Sequence, residues 1–184
     1  MIIETERLVL REIDPERDFD AWAETMADAD TVRYLGAKPM VRSEAWRNMA
    51  VAIGHWAIRG YGMFSLEHRQ TGEWIGRVGP YFPEGWPGPE VGWTLSPRHR
   101  GRGYATEAAR ASMDFVFETL GWPRVIHCVL EGNEASIAVA ERLGSQRVEV
   151  LQGLPGITPD RVLIYGQSRE EWIAQRSPAH PVEN

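Results

Sequence analysis

Arg98, Arg100 and Arg102 are interleaved with Gly101 and Gly103 in the run EVGWTLSPRHRGRGYATE, residues 90–107. Three cations and two residues without a Cβ, set at the start of a helical pattern, are the ingredients of an anion site. The leading N–H groups of a helix have no intrahelical partner, and the helix dipole adds partial positive charge at that end. Glycine lets the main chain come close to a bulky ligand. The chemistry predicted is a phosphate or pyrophosphate cradle at a helix beginning near Arg102. The same residues would also make a plain tight turn with a solvated arginine face, so the loop alone leaves both readings open.

Exclusions sharpen the motif. The pattern GxxxxGK[ST] is absent, and the third glycine of a dinucleotide fingerprint is replaced by Thr106. What remains is [QR]-x-x-G-x-[GA], satisfied by Arg98, Gly101 and Gly103. Here the chain resembles the GNAT superfamily of N-acetyltransferases, and the extension GYATEAA resembles its RimJ/RimL branch, which acetylates ribosomal-protein N-termini and includes small-molecule relatives. The resemblance implies acetyl-CoA as co-substrate, with no metal. It implies that the donor lies along Leu95, Ser96, Arg98, Arg100, Gly101, Arg102, Gly103, Tyr104, Ala105 and Thr106.

A second stretch, NEASIAVAERLG at 133–144, reads by itself as a capped amphipathic helix stopped by glycine. Its N-x-x-S resembles the RimJ/RimL pattern, which implies that Asn133 and Ser136 meet the pantetheine arm. Many members carry a Tyr seven residues after this Asn as the acid for the departing thiolate. Ala140 stands there, leaving Ser136 as the replacement. Ser145 likewise stands where the family usually has Phe.

The surrounding pattern supplies elements to position these residues. Leu8 and Leu10 mark a first strand over 3–13, and ETERLVLRE also resembles the opening strand of the branch. Asp14-Pro15 starts a helix with Phe19, Trp22, Ala23 and Met26 on one face. A second helix follows Ser43 and stops by Gly60. A hairpin is expected over 61–67 and 73–78, turning at Thr71-Gly72. Residues 79–89 read as a Pro/Gly loop whose Tyr81, Phe82 and Trp86 wall an acceptor pocket or cover a sheet edge. Strand 90–95, the helix ending at Gly121 and the apolar strand 125–130 form a βαβ unit, so these two strands should run parallel. Strands at 146–151 and 161–166 and a short helix from Ser168 complete the domain, 1–176, with a mobile tail at 177–184. With the resemblance, this predicts a single-domain α/β (α+β) GNAT-like fold. Its mixed, mostly antiparallel sheet should have about 6–7 strands around a central parallel pair, with about four helices.

Composition bounds the rest. The chain has 184 residues, 43% hydrophobic and 25% charged, an ordinary globular balance. No apolar run suits a membrane span, and no signal peptide is visible. A lone cysteine, Cys128, fits a reducing cytoplasm. A net charge of −6 argues against nucleic-acid binding and suits an amine acceptor. A homodimer is left open.

The implied reaction is direct transfer of acetyl to a primary amine, either a protein N-terminus or a small molecule. An amine is mostly protonated at neutral pH, so a base is required. Glu90, opening the central strand beside the aromatic loop, ranks first, and His127 second. A backbone N–H near Trp93 to Leu95 should meet the oxyanion, and Trp93 joins Tyr81, Phe82 and Trp86 as an acceptor contact. Two other classes fit the chain: a nonenzymatic acyl-CoA sensor, and an arginine-driven nucleic-acid binder that the net charge disfavours.

Overall fold

A computed structural model describes residues 1–176; the tail expected at 177–184 lies outside the described residues. Eight strands form one sheet: β1 (Ile2–Glu4), β2 (Leu8–Arg11), β3 (Phe64–His68), β4 (Trp74–Tyr81), β5 (Glu90–Leu95), β6 (Arg124–Leu130), β7 (Gln146–Leu154) and β8 (Thr158–Ser168). Their spatial order is β1-β2-β3-β4-β5-β6-β8-β7. All neighbours are antiparallel except β5 and β6, the expected parallel pair. The helices are α1 (Pro15–Ala27), α2 (Ala29–Arg33), α3 (Arg42–Arg59), α4 (Tyr104–Asp114), α5 (Glu134–Arg142) and α6 (Arg169–Arg176).

The fold class is the expected one, with more elements than the pattern showed. The single strand expected over 3–13 is a tight hairpin, because Thr5 N–H and Leu8 O bond at 2.9 Å and Thr5 Oγ1 accepts from Leu8 N. Helix α2 is too short to show a period and starts from the Asp28 side chain, which accepts from Thr31 N. Strand β4 runs on through Gly79 and Pro80, so Tyr81 sits on a strand rather than in a loop. Past Asp114, α4 loosens into a π-helical turn over Phe115–Thr119.

The small residues Ala108, Ala109 and Ser112 bring α4 flat onto one face of the sheet, where Val78, Val91 and Met113 are fully buried. Helices α1 and α3 cover the other face, where Trp22 meets Trp74 and Arg77. Burial of these apolar faces drives the sandwich. Among the described residues no helix is long and apolar enough to cross a membrane.

Candidate active site

The parallel ladder registers only Glu90 against Ile126, with Ile126 N–H donating to Pro89 O at 2.9 Å. In a continued ladder Cys128 N–H would next donate to Val91 O. Two side chains take those groups instead. Glu90 Oε1 accepts from Cys128 N at 3.0 Å, and His127 Nδ1–H donates to Val91 O at 2.6 Å. Glu90 and His127 thus wedge the strands apart while leaving neither backbone group unpaired. By alternation, the Trp93 N–H points from β5 into the gap. A cleft of about 1510 Å³ runs through it from the α4 side to the α3 side.

His127 is buried, and both its ring nitrogens are engaged. A carbonyl can only accept, so Nδ1 carries the proton, and Nε2 accepts from Ser145 Oγ at 3.0 Å. Ser145 in turn accepts from Gln167 Nε2 at 2.8 Å. Burial pushes His127 down to about 4, so the ring is neutral at pH 7. The serine in place of the family's usual Phe therefore partners this buried histidine.

Glu90 is only 7% exposed, and burial pushes its carboxyl up to about 7, against the bonds from Cys128 N and Trp86. Trp86 Nε1–H donates to Oε2 at 2.6 Å. Burial and the adjacent Glu90 charge push the Cys128 thiol far up, which removes it as a nucleophile. Tyr81 stacks on His55 with centroids 5.1 Å apart and meets Trp86 edge-on at 5.2 Å. Tyr81, Trp86 and Trp93 line the cleft. The Phe82 side chain lies outside that lining, under Arg59, while its N–H donates to His55 Nε2.

On the α4 side the loop is anchored from beneath and from the side. Arg7 donates to Arg102 O at 3.0 Å and lies over the Tyr104 ring. Glu107 bonds Thr5 Oγ1, Arg7 N and Arg7 Nε, which ties its charge to the β1–β2 turn. Arg98 pairs with Glu24, and Arg100 with Thr31 and Asp28. Those two arginines therefore brace the loop against α1 and α2. Gly103, at φ +81°, is the N-cap of α4 and supplies no side-chain cap, so the leading amides have no capping partner. A Cβ on Gly101 would meet open space. The residues thus fit an anion held by main-chain amides.

Of the expected donor contacts, Leu95, Arg100, Gly101, Gly103, Ala105, Thr106, Asn133 and Ser136 line the cleft. Ser96, Arg98, Arg102 and Tyr104 lie outside its lining, Tyr104 being buried in the core. Asn133 Oδ1 caps α5 by accepting from Ser136 N, and Ser136 Oγ accepts from Trp93 Nε1 at 3.3 Å. The Ser136 hydroxyl is thereby left free to donate. Ala140 is fully buried beside Val129 and Leu163. Sequence reasoning passed over Asn48, Met63 and Arg77, which also line the cleft. The alternation that puts Arg77 on the Tyr81 face was the signal that could have found it.

The GNAT acetyltransferase domain family matches residues 7–146. The chain is 32% identical over 148 residues to YkkB of Bacillus subtilis, covering 76% of this chain and 82% of YkkB. It is 29% identical over 153 residues to the N-acetyltransferase YoaA of the same organism, covering 82% and 86%. An acetyltransferase structure from Agrobacterium tumefaciens superposes with a TM-score of 0.78 at 34% identity, covering 91% of this chain and 94% of that one.

Proposed function

The chain belongs to the GNAT acetyltransferase family and is an acyltransferase, and we propose that it acetylates a primary amine by direct attack, with donor and acceptor held together in the cleft. Acetyl-CoA, when bound, supplies a thioester carbonyl to that amine. The amides of Gly101 to Ala105 hold the pyrophosphate, and Arg110 and Arg142 add positive charge along the same side of the cleft.

The observation that carries the reading is Glu90, a buried carboxylate held by Cys128 N and Trp86 where the parallel strands part, its carboxyl pushed up to about 7 by burial. A base is most effective with a pKa near the working pH, and Glu90 reaches that value without a cationic partner. It takes the amine proton from the α3 side. The Trp93 N–H, freed from the ladder, faces the developing oxyanion. Ser136, whose oxygen is engaged by Trp93, turns its own proton toward the departing sulfur. His127, neutral and doubly bonded, holds the strands open rather than shuttling protons. The acceptor is an amine that enters between Tyr81 and Trp86.

The test is an acetyl-CoA-dependent thiol-release assay across peptides, amino acids, polyamines and aminoglycosides. Turnover with at least one amine is expected. Acetyl-CoA binding without turnover on any of them would make the protein a sensor on the same fold.

A further inference from the structure

The cleft contains a cation that nothing else in the fold uses. Arg77 on β4 lines the cleft, yet its side chain makes no hydrogen bond or ion pair among the described residues, and its Nε is fully buried without a partner. Its guanidinium lies over the Trp22 ring, 4.8 Å from the centroid. Burial lowers it to about 10, so it stays charged at pH 7. An unpaired buried charge is costly, and removing it from a fold is often neutral or favourable. The stacking on Trp22 returns only part of that cost.

Trp22 orients a second donor as well. Its Nε1–H donates to Asn48 Oδ1 at 3.2 Å, and because an indole can only donate, the Asn48 amide must present its oxygen there. The NH₂ of Asn48 is therefore directed elsewhere, and Asn48 also lines the cleft. A guanidinium and an amide NH₂ fixed on one tryptophan make a donor pair suited to a carboxylate.

Register places this pair relative to the base. Tyr81 pairs with Glu90, Gly79 with Gly92 and Arg77 with Thr94, so all six share one face of the β4–β5 ribbon. The two glycines leave the floor between Glu90 and Arg77 without side chains, overlain by the flexible Met63. Four residues of strand separate Arg77 from Tyr81 and its partner Glu90, roughly 13 Å between Cα atoms.

We propose that Arg77, with Asn48, is a carboxylate subsite, and that the acceptor is a small amino-carboxylate, dipeptide-sized, whose amine reaches Glu90 while its carboxylate rests on Arg77. This rests on the acetyl-transfer reading above and narrows its acceptor. The spacing is too long for a simple α-amino acid and favours an amine several bonds from its carboxylate.

Glycylglycine and its C-terminal amide are compared as acceptors, and as ligands of the CoA-loaded protein by calorimetry. The wild type should favour the free carboxylate by roughly 10–100-fold in kcat/KM and bind it more tightly. In Arg77→Met that preference should vanish, with the KM for acetyl-CoA little changed. Arg77→Lys should restore part of it, and Asn48→Ala should lose a smaller part. Equal use and equal binding of the two peptides by the wild type would overturn the proposal. So would a preference for long peptides with an internal acidic residue, which would indicate a protein N-terminus. Lower thermal stability of Arg77→Met with discrimination intact would make Arg77 a packing residue. If no amine turns over, the calorimetric comparison still decides the subsite, and only the transfer reading falls.

Discussion

The two sides of the cleft are built by different means. On the α4 side, the anion cradle is contiguous in the chain: a glycine at φ +81° caps a helix, and main-chain amides supply the positive potential. Neighbouring charges there are braced outward, Arg98 onto Glu24, Arg100 onto Asp28 and Glu107 onto Arg7. On the α3 side the site is discontinuous. It draws Asn48 from α3, Arg77 and Tyr81 from β4, Trp86 from a loop and Glu90 from β5, and its charged groups are left without ionic partners. A main-chain site tolerates side-chain change except where a Cβ intrudes. A side-chain site depends on burial to set each group's charge.

The sharpest break in that contrast is Gly103→Val. A branched side chain at φ +81° strains the cap by about 1–3 kcal/mol, its Cβ lies 3.4 Å from the Arg7 Nη2 that anchors the loop, and its branches are expected to crowd the proposed anion position. Acetyl-CoA binding, measured by calorimetry, should fall below detection while circular dichroism stays native. Normal affinity in the folded variant would move the cradle elsewhere.

Glu90→Gln should leave acetyl-CoA binding intact and lower kcat roughly 10²–10⁴-fold, the range for losing a general base. In the wild type kcat/KM should fall as pH drops through about 7, as Glu90 takes up a proton, and the variant should lack that limb. Stability carries the opposite sign. The folded state holds a proton that the unfolded chain releases near 4.5, so Glu90 lowers stability as pH rises from 4.5 to about 7. A melting series should show the wild type losing stability relative to the variant across that window, because His127, pushed down to about 4, adds the same rise with pH to both.

Ser136→Ala tests whether the cofactor side also contributes chemistry. A thiol leaves without a full proton, so kcat should drop by roughly 10–100-fold at most, with acetyl-CoA affinity little changed. Weaker binding at unchanged kcat would reduce Ser136 to a donor contact.

Trp86→Ala should have the smallest effect. It removes a wall and the donor to Glu90 Oε2, so KM for the amine should rise about tenfold while KM for acetyl-CoA holds. The lost bond favoured the ionised carboxylate, so the acidic limb should also move to higher pH. Equal rises in both KM values would assign Trp86 to structure.

By itself the sequence determined the elements whose signals are local. The Arg/Gly loop before α4, the Asn133 cap of α5 and the parallel β5–β6 pair each follow from a few adjacent residues, because caps, turns and crossover connections are short-range physics. Short elements escaped: α2 has no period to read, and the turn at Thr5 is set by one hydroxyl. What only the tertiary structure decided is the charge and freedom of the side chains. As candidate bases on neighbouring strands, Glu90 ranked first and His127 second. Burial raises the carboxyl to about 7 and lowers the imidazole to about 4, because desolvation disfavours the charged form of each. The arginines that looked like phosphate ligands are partly spent on α1 and α2, while Arg77, unremarkable in the chain, is buried with its Nε unpartnered. Pairing depends on which distant residue arrives within a few ångströms, and no local pattern encodes that.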